Sequence, residues 1–289
     1  ETPLQQSIRF TKSHGANILL KREDLHRVRS YKIRGAYNKI SSLSQKQLDS
    51  GVVCASAGNH AQGVAFACSH LQVKGTIYMP VVTPKQKIDQ TKMFGGEWVD
   101  VVLEGDTFDD SKKAAQLFCG QEGKTFVHPF DDEKTIEGQA TVGLEILQQS
   151  SEPIDYVFVA VGGGGLASGL CGTFRALSPN TKIIGIEPEG APSMLKSIEQ
   201  GELVELENID KFIDGAAVQK VGGLTYPICR ECLHKMVTGR ERSIWRDHRG
   251  HLGNGFDRLE GYVFYATLYK KSPELIEIPI KFQGAKQEF

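Results

Sequence analysis

Three short segments of the sequence contain reactive or anion-binding residue types. They are the lysine segment 30–36 with Lys32, the asparagine segment 56–60, and the glycine run 162–165. A lysine amine condenses with aldehydes, and glycine turns before helices bind phosphate through backbone N–H groups. An amine, an asparagine and a phosphate-binding turn are the parts needed to hold an aldehyde cofactor that carries a phosphate. Their combination therefore predicts pyridoxal 5'-phosphate.

The glycine run lies between a predicted strand, 156–161, and a predicted helix that begins at Leu166. Glycines let backbone N–H groups approach a ligand closely, and the N-terminus of the helix adds positive potential. We therefore predict an anion site at this turn. The simpler alternative is a tight strand-to-helix turn, which would need one or two glycines rather than four in a row.

A dinucleotide site is a second interpretation of the same glycine run. Gly162, Gly164 and Ala167 satisfy a loose form of the Rossmann fingerprint. Glu187 ends the next predicted strand about 20 residues later, where a ribose-binding acid would lie. A nicotinamide-dependent oxidoreductase thus stays open, although this fingerprint usually opens its domain and here lies past the middle of the chain.

The lysine and asparagine segments each have an ordinary structural explanation. Lys32 could be a surface lysine at a helix start, and Asn59 could be a simple N-cap. In the functional interpretation, burial lowers the pKa of Lys32, so that the neutral amine acts as nucleophile and later as base. The N–H groups of segment 56–60, with the side chains of Ser56 and Asn59, would then hold a carboxylate and a phenolic oxygen.

Composition excludes several classes of partner. The 289 residues carry a net charge of −1 and have a pI near 6.8, so we predict no nucleic-acid or membrane partner.

Six cysteines include one close pair, Cys229 and Cys232, which lacks the spacing of a zinc site and is interpreted as two thiols near a helix end. We predict no metal and, from the free thiols, a cytoplasmic location. An organellar location is the alternative if a transit peptide has been lost, since the chain begins at Glu1.

Strands and helices alternate along most of the chain, which predicts an α/β fold with parallel strands flanked by helices. Predicted strands cover 52–55, 75–79, 98–102, 125–127, 156–161 and 182–187, and predicted helices cover 59–71, 84–94, 106–119, 138–149 and 166–177. Proline and acidic residues interrupt the pattern at 128–132. We predict a small lobe at 35–130, a large cofactor-binding lobe from 1–34 and 131–238, and an atypical tail of unassigned structure at 239–289.

Several ordered segments together resemble the biosynthetic threonine dehydratases, also called threonine deaminases, of the type II pyridoxal-phosphate fold. The resemblance runs from Thr2 to about Thr238. The segments that carry it are 2–4, 20–25, 30–36, 54–65, 128–132, 138–141, 162–165, 185–188 and 214–218. The resemblance implies two lobes, each with a mainly parallel sheet flanked by helices, as in the β subunit of tryptophan synthase.

The resemblance also implies roles for individual residues. Lys32 would bind the cofactor's aldehyde covalently and later remove the substrate's α-proton. The implied cofactor-binding residues are Lys32, Tyr31, Asn59, Gly162, Gly163, Gly164, Gly165 and Leu166. The implied substrate-binding residues are Ser56, Ala57, Gly58, Asn59 and His60. The expected reaction converts L-threonine into 2-oxobutanoate and ammonia, the first step towards isoleucine, in a homodimer or homotetramer.

Two alternatives remain within the same fold. A serine dehydratase or racemase is the first; racemases resembling this chain carry a serine at the position of Ala57 and an aspartate at that of Ser193, so we expect dehydration rather than racemisation. A catalytically impaired or truncated relative that acts as a binding protein is the second. The family's Ser-Gly-Gly-Asn turn has only a faint counterpart at 252–255, and we expect the family's isoleucine-binding regulatory domain to be missing.

Overall fold

The computed structural model describes residues 1–210, 213 and 215–239, and every structural statement below refers to these residues. Apart from Gly239, the predicted tail at 239–289 and the faint turn at 252–255 lie outside them. Contacts divide the chain into two compact units. The central unit is Asp24–Thr141, and the terminal unit combines Glu1–Glu23 with the chain from Val142 onward. The predicted lobe limits stay a prediction.

The central unit contains a four-stranded parallel sheet in the order β5-β4-β3-β6. Its strands are β3 (Val52–Ala55), β4 (Gly75–Met79), β5 (Val99–Leu103) and β6 (Thr125–Phe126). Its helices are α2 (Lys32–Ser41), α3 (Gln45–Ser50), α4 (Asn59–Leu71), α5 (Lys85–Gly95) and α6 (Phe108–Gln121). Helix α7 (Glu133–Gln149) begins in this unit and continues into the other.

Both faces of the central sheet are buried, as alternation along β3 shows. Val52 and Cys54 belong to one apolar cluster, and Val53 and Ala55 belong to another. All four side chains are fully buried, which is typical of a parallel strand covered on both faces. Burial on both faces fixes the position of β3, and the asparagine segment follows at its C-terminal end.

The terminal unit contains a three-stranded parallel sheet in the order β7-β8-β9 and an antiparallel pair, β1-β2. Its strands are β1 (Leu4–Gln6), β2 (Leu19–Lys21), β7 (Tyr156–Ala160), β8 (Lys182–Pro188) and β9 (Lys235–Gly239). Its helices are α1 (Ile8–His14), α8 (Gly165–Leu177), α9 (Ser193–Gln200) and α10 (Thr225–Cys232). Within the described part of the chain, no helix is both long and apolar enough to cross a bilayer.

The predicted α/β class, with parallel strands flanked by helices, is confirmed. One helix is longer than expected, because α7 begins at Glu133 and not near Gly138. A Cβ at Gly138 would lie 2.5 Å from the backbone oxygen of Arg34, so this glycine permits close packing of α7 on α2 and does not start a helix.

Candidate active site

Lys32 is the first residue of α2 and lies in the central unit. Its backbone N–H donates to Ser30 Oγ over 3.2 Å, and its Nζ donates to the backbone oxygen of Pro129 over 2.7 Å. The Nζ atom also lies 5.5 Å from the centroid of the Tyr31 ring. Burial of the amine lowers the pKa of Lys32 from 10.5 to about 8. Near neutral pH this amine therefore loses its proton more easily than a surface lysine does.

The asparagine segment connects the buried end of β3 to the start of α4. Ser56 N donates to the backbone oxygen of Tyr78 over 3.1 Å, and Gly58 N donates to Ser56 Oγ over 3.3 Å. A Cβ at Gly58 would meet no atom within 4 Å, so the segment faces open space there. The first turn of α4, beginning at Asn59, leaves N–H groups without intrahelical partners. These N–H groups can bind an anion.

Close packing of α4 on α2 brings the asparagine segment beside the lysine. A Cβ at Gly63 would lie 3.1 Å from the carbonyl carbon and oxygen of Lys32 and 3.1 Å from the backbone nitrogen of Ile33. A larger residue at position 63 would separate the two helices. Gly63 therefore allows the first turn of α2, which contains Lys32, to pack closely against α4, the helix that begins at Asn59.

The imidazole ring of His60 points into the protein. Its Nε2 lies 2.9 Å from the backbone oxygen of Val127 and donates to it, while the buried Nδ1 has no partner among the described residues. Burial, and then the charge of Lys32, lower the pKa of His60 to about 3. The ring is neutral at physiological pH. His60 can thus offer its backbone N–H, but no positive charge, to a carboxylate.

A second neutral imidazole, His128, lies near the same lysine. Its Nδ1 accepts a hydrogen bond from Asp131 N over 2.8 Å, and burial, followed by the charge of Lys112, lowers its pKa to about 4. The electrostatic influence of Lys32 reaches both rings. Sequence reasoning assigned no role to His128 or to the carbonyl of Pro129. The motif at 128–132 could have pointed to His128. The carbonyl of Pro129 has no sequence signal, because every residue has a backbone carbonyl.

The glycine run lies in the terminal unit, where it links β7 to α8. Gly164 is the N-cap of α8 and has a φ of +89°, a conformation that favours glycine. A Cβ there would lie 2.8 Å from Met194 Cε and 2.9 Å from Thr225 Cβ. Packing alone therefore explains this glycine.

The carbonyl side of the glycine run is held by α10. Thr225 Oγ1 donates to the oxygen of Gly163 over 2.6 Å, and Gly222 N lies 3.4 Å from the same oxygen. In the first turn of α8, Gly165 and Leu166 have N–H groups that no intrahelical carbonyl can reach. The run thus combines fixed carbonyls with free helix-terminal N–H groups, an arrangement that suits a phosphate.

Glu187 has a structural partner that the sequence did not reveal. Its Oε1 accepts from Met194 N over 2.7 Å, and its Oε2 accepts from Leu195 N over 2.8 Å. Both oxygens therefore satisfy the first turn of α9, and burial raises the pKa of the carboxyl to about 7. This geometry does not favour Glu187 as a ribose ligand. Among the described residues, no group of three or more His, Cys, Asp or Glu is placed to hold a metal ion.

Comparison with known proteins decides between the cofactors that a glycine run could serve. Residues 1–249 match the family model described as pyridoxal-phosphate dependent enzyme. The chain belongs to this family. The predicted resemblance and the predicted cofactor class are therefore confirmed, and the nicotinamide interpretation loses its support.

Two curated members of the family are similar to this chain over most of its length. The chain is 52% identical over 243 residues to the biosynthetic L-threonine dehydratase of Halalkalibacterium halodurans, covering 84% of this chain and 59% of that protein. It is 51% identical over 225 residues to the Bacillus subtilis protein of the same name, covering 78% of this chain and 53% of that protein. The chain thus spans somewhat more than half the length of these curated relatives.

Two solved structures have the same fold as this chain. The processed form of threonine deaminase isoform 2 from Solanum lycopersicum superposes with a TM-score of 0.82 at 43% identity, covering 90% of this chain and 74% of that chain. Maize serine racemase superposes with a TM-score of 0.79 at 30% identity, covering 84% of this chain and 72% of that chain. The predicted fold, that of type II pyridoxal-phosphate enzymes, is therefore confirmed.

Proposed function

We propose that this chain carries the catalytic part of a dehydratase that converts L-threonine into 2-oxobutanoate and ammonia, a step towards isoleucine. The observation that carries the proposal is the partly buried Lys32 at the start of α2, whose Nζ is held by the backbone oxygen of Pro129 and whose pKa is lowered to about 8. The names of the relatives in Halalkalibacterium halodurans and Bacillus subtilis support threonine as the substrate.

Pyridoxal phosphate fits the residues that are present. Lys32 would bind the aldehyde, with Tyr31 near the ring, and Asn59 would hydrogen-bond the ring oxygen. The phosphate would be held at the helix N-terminus formed by Gly162, Gly163, Gly164, Gly165 and Leu166. The carbonyl of Gly163 already has a partner in α10, Thr225, whereas the N–H groups of the first turn of α8 remain for the phosphate.

The asparagine segment would orient the substrate through its carboxylate. The residues proposed for this role are Ser56, Ala57, Gly58, Asn59 and His60. The segment is only partly buried up to Asn59, and no side chain crowds Gly58. Because the His60 ring is neutral, the hydrogen bonds to the carboxylate would come from backbone N–H groups and short polar side chains.

Lys32 would also move the proton at the substrate's α-carbon. When bound, the cofactor supplies an aldehyde that condenses with amines and a ring that delocalises the charge left by that proton. An amine with a pKa of about 8 is close to the optimum for a base near neutral pH. After accepting the proton, the ammonium would be stabilised by the backbone oxygen of Pro129, which already accepts a hydrogen bond from Nζ.

The activity is tested by adding pyridoxal phosphate and L-threonine to the purified chain and measuring 2-oxoacid and ammonia. We expect equal amounts of both products, and their loss in Lys32→Ala. Lys46→Ala is the matched control, because Lys46 is an exposed lysine in the same unit. Equal turnover by Lys32→Ala and the parent would reject the assignment.

Serine racemisation is the second candidate, since maize serine racemase shares this fold at 30% identity. Against it, the methyl group of Ala57 cannot transfer a proton on the second face of the cofactor. With L-serine we therefore expect pyruvate and no D-serine, measured by chiral chromatography. Formation of D-serine at a rate similar to that of pyruvate would favour the racemase.

We further propose that the protein works in the cytoplasm as a homo-oligomer. The resemblance to threonine dehydratases supports the oligomer, and six free thiols, five of them buried, are compatible with a reducing compartment. Light scattering of the purified chain tests the oligomeric state, because a monomeric mass at micromolar concentration would contradict a homo-oligomer.

A further inference from the structure

Helices α8 and α10 of the terminal unit pack side by side through two sets of contacts. At one end, Ser168 Oγ lies 3.5 Å from Cys229 Sγ and 3.4 Å from the backbone oxygen of Thr225. At the other end, Arg175 Nη1 lies 3.1 Å from Glu231 Oε2. The residue numbers increase together on both helices, so the helices run in the same general direction.

Two cysteines lie next to these contacts: Cys171 lies between Ser168 and Arg175 on α8, and Cys232 directly follows Glu231 on α10. Cys171 follows Ser168 by three residues, and Cys232 follows Cys229 by three residues, so each lies one turn further along the same helix face. The flanking contacts of Ser168 with Cys229 and of Arg175 with Glu231, together with these equal three-residue steps, place the two thiols side by side, and a hydrogen bond between them shifts the pKa of both. Cys171 is buried and Cys232 is partly exposed, so a reagent in solution can reach Cys232 first.

The close sequence pair, Cys229 and Cys232, does not act as a unit in this geometry. Cys229 is fully buried, and its Sγ faces Ser168 Oγ and, at 3.9 Å, the oxygen of Gly164. The thiol that partners Cys232 comes from the neighbouring helix. The interpretation of Cys229 and Cys232 as two ordinary thiols near a helix end therefore misses the pairing across helices.

We propose that Cys171 and Cys232 form a redox-active thiol pair that reacts with low-molecular-weight disulfides and closes into a disulfide between α8 and α10. In the first step the Cys232 thiolate attacks one sulfur of the small disulfide and releases one small thiolate. In the second, Cys171 loses its proton, attacks Cys232 Sγ, and releases the other small thiolate. Two protein thiols are oxidised by two electrons, one small disulfide is reduced to two thiols, and the protons go to the released thiolates.

The charges around the pair agree with this order of attack. The hydrogen bond from Cys171, and then the positive charge of Arg175, lower the pKa of Cys232. The same hydrogen bond, followed by burial, raises the pKa of Cys171. Because Cys232 is partly exposed and Cys171 is buried, Cys232 reacts with the small disulfide first, and Cys171 is the thiol that resolves the mixed disulfide.

Closing this bond would crosslink the two helices that hold the glycine run. Helix α8 begins at Gly165, and Thr225, the first residue of α10, binds the oxygen of Gly163. The disulfide lies two turns from this contact along α8 and is not part of the proposed cofactor site. The proposal therefore stands or falls independently of the dehydratase assignment.

The test exposes the reduced full chain to oxidised glutathione, alkylates the remaining thiols, and maps tryptic peptides by mass spectrometry. Cleavage after Arg230 separates Cys229 from Cys232, so the two possible partners of Cys232 give different linked peptides. We expect the peptide with Cys171 linked to that with Cys232, two hydrogens lighter than their sum. In Cys232→Ser, Cys171 should be alkylated after unfolding.

Two control variants make the result decisive. Cys119→Ser, in the other unit, and Cys229→Ser should both retain the link between Cys171 and Cys232. A link between Cys229 and Cys232 would overturn the proposal. So would glutathione retained on Cys232 with Cys171 free, or the absence of any reaction at either thiol.

Discussion

Replacing Lys32 with methionine should stabilise the cofactor-free protein, and only below a defined pH. Burial lowers the pKa of Lys32 from 10.5 to about 8, so the folded state disfavours the charged amine. At 1.36 kcal/mol for each pH unit between these values, the cost of keeping the ammonium folded is about 3.4 kcal/mol. Methionine removes this cost and keeps most of the side-chain volume.

The net effect is smaller, because the variant also loses the hydrogen bond from Nζ to the backbone oxygen of Pro129. Such a bond contributes about 1 kcal/mol, which leaves a gain of about 2 kcal/mol for Lys32→Met. Because the folded pKa is depressed, the cost is fully present below about pH 8 and disappears as the pH rises to about 10.5. The gain should therefore be found at pH 7 and be absent at pH 10.5.

Urea unfolding followed by circular dichroism measures this difference in the free energy of unfolding at the two pH values. Lys46→Met is the matched control and should change stability little at either pH, because Lys46 is exposed. If Lys32→Met is destabilised to the same extent at pH 7 and pH 10.5, burial does not disfavour the charged form of Lys32 in the folded protein.

Two further substitutions test the terminal unit. Gly164→Ala should lower stability by about 1–3 kcal/mol and weaken pyridoxal-phosphate binding, because φ is +89° and a Cβ would meet Thr225 Cβ at 2.9 Å. Spectroscopic titration with the cofactor measures the second effect, and Gly172→Ala, where a Cβ meets nothing within 4 Å, should leave affinity unchanged. Lys21→Met should cost about 3–5 kcal/mol in urea unfolding, since the buried carboxylate of Glu145 loses an ammonium at 2.6 Å. Adding Glu145→Leu should recover most of that loss, and a double variant as unstable as the single one would contradict the ion-pair explanation.

The alternation of strands and helices allowed much of the fold to be predicted. The strand at 75–79 agrees with β4 at both ends, because its apolar residues end at Pro80. The helix α9 and the strand β9 were not predicted. The first turn of α9 depends on a distant acceptor, the buried carboxylate of Glu187, and β9 depends on pairing with β8. Neither contact has a local sequence signal.

The candidate site shows a similar limit. Residue type and order identified Lys32, the asparagine segment and the glycine run. The sequence did not show that Pro129 accepts a hydrogen bond from Lys32, or that His60 turns its ring to the backbone of Val127. Both contacts involve backbone carbonyls, which every residue possesses. The glycine run shows a different limit, because its sequence signal has two explanations. Gly164 is explained by close packing as well as by phosphate binding.

The lysine that holds pyridoxal phosphate can be identified directly. The purified chain is incubated with the cofactor, reduced with borohydride and digested, and the labelled peptide is sequenced by mass spectrometry. We expect the label on Lys32, and less of it when L-threonine is added before reduction. A label spread over exposed lysines such as Lys46, or one on Lys32 that L-threonine does not diminish, would contradict it.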